Sequence, residues 1–246
     1  MRSISSRTSP ILFLALLAAS CGRGPSFDER KKNGIEAFQE KRIPDAVELL
    51  DGCARENPRD FDVRYYLARS QEEAQNFAVA LREWDDVLLL RPEFPEAHYR
   101  KGNTLAGLGR LDEAIASWQS AVDRDPTFAR AYYNQGAAYE NLEKWDDAAR
   151  CYVLATRADS TFAPAWIDLG LLLQRATQWE GALLSFDRAI RLQPSFTAPY
   201  LNRIQILMQL GRKDEAIERI RELEEREGID TLLADSLRAL RARLAG

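Results

Sequence analysis

The sequence predicts an all-α fold, a solenoid of six consecutive helical hairpins with one more helix capping its C-terminal end. Three observations predict it. Alanine recurs every 34 residues, at Ala46, Ala80, Ala114, Ala148, Ala182 and Ala216, and a second, mostly small column precedes it by twelve at Gly34, Ala68, Gly102, Gly136, Gly170 and Ile204. Large apolar residues keep the same phase, at Leu50, Trp84, Trp118, Tyr152, Phe186 and Ile220. A closing column reads Pro58, Pro92, Pro126, Ser160, Pro194 and Gly228. No gap or insertion is needed, and a fixed period of this length is the signature of a repeat architecture.

Each column has a physical cause. A small residue on the first helix of a pair and an alanine on the second let the two backbones approach, and the large column fills the groove between them. A further column, Ile43, Phe77, Leu111, Trp145, Trp179 and Lys213, opens the second helix. Proline lacks an N–H and clashes with the preceding turn, so it stops the second helix of each pair. Gly109 and Gly211 relax the backbone between the two helices of their hairpins. One hairpin cannot bury both of its faces, so neighbours must stack.

From the N-terminus, residues 1–20 read as a targeting segment rather than fold. Arg2 and Arg7 precede an apolar run from Ile11 to Ala19, too short to span a bilayer as a mature helix. The run ends in Leu17-Ala18-Ala19-Ser20-Cys21, which resembles the lipobox of bacterial lipoproteins, with Ala18 where leucine is commonest. That resemblance implies cleavage before Cys21 and lipid on it, placing the chain in a bacterial envelope. The competing reading is an ordinary secretory signal with Cys21 a free thiol. Residues 21–26 form a linker that reaches only about 20 Å. The hairpins then occupy 27–60, 61–94, 95–128, 129–162, 163–196 and 197–230. Residues 231–246 supply the cap, where Leu233, Leu237, Leu240 and Leu244 share a helical face and are expected to cover the last hairpin.

These columns resemble the tetratricopeptide repeat family over about Phe27 to Asp230, which implies a right-handed superhelix. Ile204, Ser160 and Gly228 depart from the family pattern. The resemblance further implies that the first helix of each pair lines a concave groove that binds peptides. Carried over position by position, the candidate groove residues are Tyr65, Arg69, Tyr99, Arg100, Asn103, Tyr133, Asn134, Ile167, Leu171 and Leu201. Tyr65, Tyr99 and Tyr133 form a ladder one repeat apart, either to hold a ligand or to cover the seam between neighbouring helices. Arg69 and Arg100 are expected to be neighbours. They would take an anion between them, unless Glu72 and Glu73 neutralise Arg69 from within its own helix. Asn103 and Asn134 match the asparagines of the chaperone-tail clamp, but Pro164 and Asp168 stand where its basic residues belong, so that ligand is not expected. Further along, Ile167, Leu171, Leu201 and Met208 turn the groove apolar.

Composition narrows the function. There are 34 lysines and arginines against 38 acidic residues, a net charge of -4, and removal of Arg2 and Arg7 leaves 32 against 38. No cationic excess exists to hold a nucleic-acid backbone. Three cysteines and one histidine leave little for a metal site. His98 reads as a packing residue, and Cys53 and Cys151 as buried thiols. Asp85-Asp86 and Asp146-Asp147 read as solvated charge. No enzyme, no cofactor and no small-molecule substrate is expected. The leading reading is an adaptor tethered to a membrane through Cys21 that binds a protein or peptide, at the periplasmic face of the outer membrane in a cell with two membranes. Length, lipobox and repeat number are similar to pilotin-like lipoproteins of type IV pili. A fixed subunit of a pilus, secretion or outer-membrane assembly machine and a regulator of cell-wall enzymes are the alternatives.

Overall fold

The computed structural model describes residues 24–226 and 230–245. The targeting segment, Cys21 and Gly228 lie outside the described residues. Among those described there are thirteen helices and no strand: α1 (Phe27–Gln39), α2 (Ile43–Glu56), α3 (Phe61–Glu73), α4 (Phe77–Leu90), α5 (Pro95–Gly107), α6 (Leu111–Arg124), α7 (Ala129–Asn141), α8 (Trp145–Ala158), α9 (Ala163–Arg175), α10 (Trp179–Leu192), α11 (Ala198–Gln209), α12 (Lys213–Glu224) and α13 (Thr231–Ala245). The fold is therefore all-α. The chain divides into two compact units, with the boundary inside α6 between Ala114 and Ile115.

In the first unit α1 pairs with α2 and α3 with α4, while α2 packs on α3 and α4 on α5. In the second, α7 pairs with α8, α9 with α10 and α11 with α12. There α8 packs on α9, α10 on α11 and α12 on α13. Within each unit these helices pack chiefly on their neighbours in sequence, the packing of a tetratricopeptide solenoid.

The small-residue columns act by contact. A Cβ added to Gly34 would stand 2.8 Å from Leu50 Cγ, one on Gly136 2.5 Å from Tyr152 Cε1, and one on Gly170 2.7 Å from Phe186 Cε1. Leu50, Trp84, Tyr152, Phe186 and Ile220 have no exposed surface. Burying each such side chain contributes roughly 2–3 kcal/mol. The departure at Ile204 is a size exchange. Ile204 is buried in one cluster with Ile220, which with Leu50 is one of the two smallest residues of the groove-filling column.

The turn inside each hairpin repeats as strictly as the core. Lys41, Gln75, Gly109, Glu143, Thr177 and Gly211 all have positive φ, between 57° and 74°. The next residue in each case donates its N–H five residues back, from Arg42 to Ala37 O at 2.8 Å through Arg212 to Leu207 O at 2.9 Å. The left-handed residue itself bonds three back, as Thr177 does to Gln174 O at 3.0 Å. This is the Schellman ending of an α-helix, used six times. Only two of the six positions carry the expected glycine.

The ends of the second helices follow the closing column. α2, α4, α6 and α10 stop just before Pro58, Pro92, Pro126 and Pro194. α8 stops at the same place without a proline; there Asp159 accepts hydrogen bonds from the Thr161 N–H at 2.8 Å and its hydroxyl at 2.6 Å, as Asp125 does from Thr127 around Pro126. At the C-terminus, Leu233, Leu237, Leu240 and Leu244 of α13 pack with Ile220 and Leu223 of α12, covering the last hairpin.

Candidate peptide-binding face

The expected site residues all lie on the first helices of the hairpins. Tyr65 and Arg69 are on α3, and Tyr99, Arg100 and Asn103 on α5. Tyr133 and Asn134 are on α7, Ile167 and Leu171 on α9, and Leu201 on α11. Each unit carries its own part of this surface.

In the first unit the charges answer one another. The Tyr65 ring meets Phe61, Tyr66, Trp84 and Phe94 with centroids 5.3–6.0 Å away. Its hydroxyl accepts from Arg69 Nη1 at 3.1 Å. The Arg69 guanidinium lies over the Phe38 ring at 5.0 Å and the Tyr65 ring at 5.8 Å, a cation–π arrangement. Arg100 pairs with Glu96 at 2.6 Å and with Glu72 at 3.6 Å. Arg100 thus takes Glu72 as an internal anion, whereas Arg69 lies over aromatic rings. Burial pushes the Glu72 carboxyl up, and Arg100 and then Arg69 partly offset it. Arg69 Nε and Glu72 Oε2 are buried without a hydrogen-bond partner. Glu73 turns to Lys41 at 3.6 Å. Lys31, the ladder position of the first hairpin, holds Asp60 and Asp62, each at 2.9 Å. Tyr99 is partly exposed, with the Arg100 guanidinium 6.0 Å from its ring. Asn103 is also partly exposed.

In the second unit the polar groups are phenols and carboxylates. The Tyr133 hydroxyl donates to Asp168 Oδ2 at 2.7 Å, and its ring meets Phe162 at 5.3 Å and Tyr152 at 5.5 Å. The Tyr152 hydroxyl donates to the Glu140 carboxylate. Burial, then the bonded carboxylate, raises both phenols far above their ordinary range. Burial also raises Asp168, and Glu140 adds to the effect. The ladder tyrosines Tyr65 and Tyr133 thus spend their hydroxyls inside the fold. Beside them the surface is apolar. Leu171 is 43% exposed and Leu201 and Met208 are each 37% exposed, with Ile167 half-buried. Asn134 is partly exposed.

Residues that the sequence did not single out also organise this unit. Arg203, almost fully buried, reaches Asp187 at 2.6 Å and Glu222 at 2.7 Å, tying α11 to α10 and α12. It lines a cleft of about 530 Å³ together with Leu183, Leu184, Leu207 and Glu222. Glu140 was equally unmarked. Both sit at fixed repeat positions, but their partners lie on other helices.

His98, the cysteines and the paired aspartates make contacts within the fold. His98 Nε2 donates to the Pro92 carbonyl at 2.8 Å. In the same column Arg64 donates to Pro58 O at 3.2 Å and Trp166 to Ser160 O at 3.1 Å, so this position holds the turn between hairpins. Cys53 and Cys151 are free and buried, and burial pushes the Cys151 thiol up to about 11. Asp85 pairs with Lys101 at 2.7 Å and Asp86 with Arg64 at 3.1 Å. Among the described residues no three histidine, cysteine or acidic side chains are grouped to hold a metal ion, and no helix is long and apolar enough to cross a membrane.

A family model described as tetratricopeptide repeat matches residues 32–98 and 167–228. A TPR repeat model matches 102–143, and another tetratricopeptide repeat model matches 129–162. Among solved structures, PilF of Pseudomonas aeruginosa is 17% identical with a TM-score of 0.66, covering 87% of this chain and 97% of that one. MamA of Desulfovibrio magneticus RS-1 is 24% identical with a TM-score of 0.62, covering 69% and 96%. YrrB, described as a TPR protein with an unusual peptide-binding site, is 19% identical with a TM-score of 0.61, covering 79% and 100%. At these identities the likenesses establish the fold.

Proposed function

Because the chain belongs to the tetratricopeptide repeat family, we propose that it is a lipid-anchored adaptor of a bacterial envelope, holding a protein or peptide on the faces of its first helices and helping to assemble or localise a larger complex. The repeat fold makes it a protein-interaction scaffold. The observation that carries the finer reading is the exposed apolar strip of the second unit. Ile167 and Leu171 share one face of α9, and Leu201 and Met208 share one face of α11. The peptide-binding site reported for YrrB on the same fold supports it. The lipobox-like run before Cys21 supports the anchor, and two or more acyl chains anchor stably where one does not. Gly22 in place of an aspartate after Cys21 favours the periplasmic face of the outer membrane where the cell has two membranes.

Two measurements test this reading. Replacement of Cys21→Ser should move the full chain from the detergent phase to the aqueous phase in phase partition and abolish labelling by a fatty-acid probe; unchanged labelling removes the anchor. In-cell cross-linking followed by purification should retain a partner that Tyr99→Ala with Arg100→Ala, or Leu171→Ser with Leu201→Ser, depletes. Full retention by both double variants removes these faces as the docking surface. A second reading, a fixed subunit of a pilus or secretion machine, is favoured by the likeness to PilF over nearly the whole of both chains. It requires a partner that stays bound through purification without cross-linking.

A further inference from the structure

We infer that the face formed by α7, α9 and α11 takes a partner segment in which a lysine or arginine lies within a few residues of leucine, isoleucine or methionine. This rests on the adaptor reading and specifies the chemistry of what is docked. In the first unit two cations on the corresponding face have internal carboxylates, Lys31 with Asp60 and Asp62 and Arg100 with Glu72 and Glu96, while Arg69 lies over the Phe38 and Tyr65 rings. In the second unit Glu140 and Asp168 meet only the neutral hydroxyls of Tyr152 and Tyr133, and among the described residues no ion pair reaches either carboxylate. Arg175, on the same helix as Asp168, is committed to the Trp145 ring at 3.7 Å.

Burial makes the ionised form of Asp168 costly, the Tyr133 hydroxyl offsets part of that cost, and Glu140 adds to it. A cation brought in by a ligand relieves both. The phenols are poor metal ligands because both are held firmly protonated. Two carboxylates alone do not make a metal cage. A cationic side chain is the better complement, since each carboxylate gives only one oxygen to its phenol. The apolar half of the ligand follows from Leu171. It stands three residues, or nearly one turn, beyond Asp168, about 5 Å along the helix axis. That is one or two residues of an extended chain. Leu201 and Met208 on α11 extend the apolar surface.

The test is selection of a random dodecapeptide phage library on the immobilised full chain in detergent. Recovered peptides should be enriched about fivefold in lysine or arginine within four residues of leucine, isoleucine or methionine. With Glu140→Gln and Asp168→Asn, which keep the shape and an acceptor for each phenol, the basic enrichment should fall to the level of the unselected library while the apolar enrichment stays. The circular dichroism spectrum of this variant should match that of the parent. Acidic enrichment, no charge preference, failure to recover peptides, or a basic preference that survives the double substitution overturns the inference. The adaptor reading stands or falls separately, on whether cross-linking retains a partner.

Discussion

Replacing Thr177 by glycine should stabilise the second unit. Thr177 has φ +58°, in the left-handed region, and is β-branched. That conformation costs an L-residue roughly 1–2 kcal/mol, with branched side chains the worst placed. Glycine removes this cost but adds about 0.5–1 kcal/mol of unfolded-state entropy. The threonine side chain is exposed, so no packing is lost, and the N–H bond to Gln174 O at 3.0 Å is kept. The net expectation is a gain of about 0.5–1 kcal/mol, or roughly 2–3 °C for a domain of this size. Gly211 occupies the same position one repeat later at φ +69°, so Gly211→Thr should lose a similar amount. Urea unfolding followed by far-ultraviolet circular dichroism measures both, with the transitions fitted as a repeat array. The reasoning fails if Thr177→Gly is neutral or destabilising, or if Gly211→Thr leaves the midpoint unchanged.

Gly170→Ala puts a Cβ 2.7 Å from the buried Phe186 ring and should cost about 1–3 kcal/mol by overpacking, with Gly136→Ala against Tyr152 doing the same; urea midpoints within error of the parent would contradict it. Burial raises the Asp168 carboxyl above its usual value of 3.8, so the folded state holds that proton more tightly and loses stability as pH rises through the raised value. Asp168→Asn should therefore be the more stable protein at neutral pH, with the gap closing towards pH 3; a gap that widens on acidification contradicts the sign. Cys53 and Cys151 are buried, and the Cys151 thiol is pushed up to about 11. Neither should react with a thiol-specific disulfide reagent at pH 8 until denaturant is added, and rapid reaction of the folded chain would refute their burial.

What the sequence determined by itself was the architecture. The period, the two-helix unit, the groove-filling column and the closing turns are local steric facts, legible because a small residue and its large partner recur at fixed offsets within one hairpin. The glycines at 34, 136 and 170 seat Leu50, Tyr152 and Phe186 as that spacing requires. The left-handed turn was legible at Gly109 and Gly211 and hidden at Lys41, Gln75, Glu143 and Thr177, where no glycine advertises it. The closing column broke at Ser160, where the hydrogen bonds from Thr161 to Asp159 form without a proline between them. The candidate site was only half legible. Its residues could be placed on the right helices by register, but not its electrostatics. Glu72 goes to Arg100 on the next first helix, Tyr133 to Asp168 on α9, and Arg203 to carboxylates on two other helices. Charge and hydroxyl partners are chosen by which long side chains converge from different helices, and sequence spacing does not carry that distance. Only the tertiary structure therefore decided that one unit neutralises its own charges while the other leaves two carboxylates to phenols beside an open apolar strip.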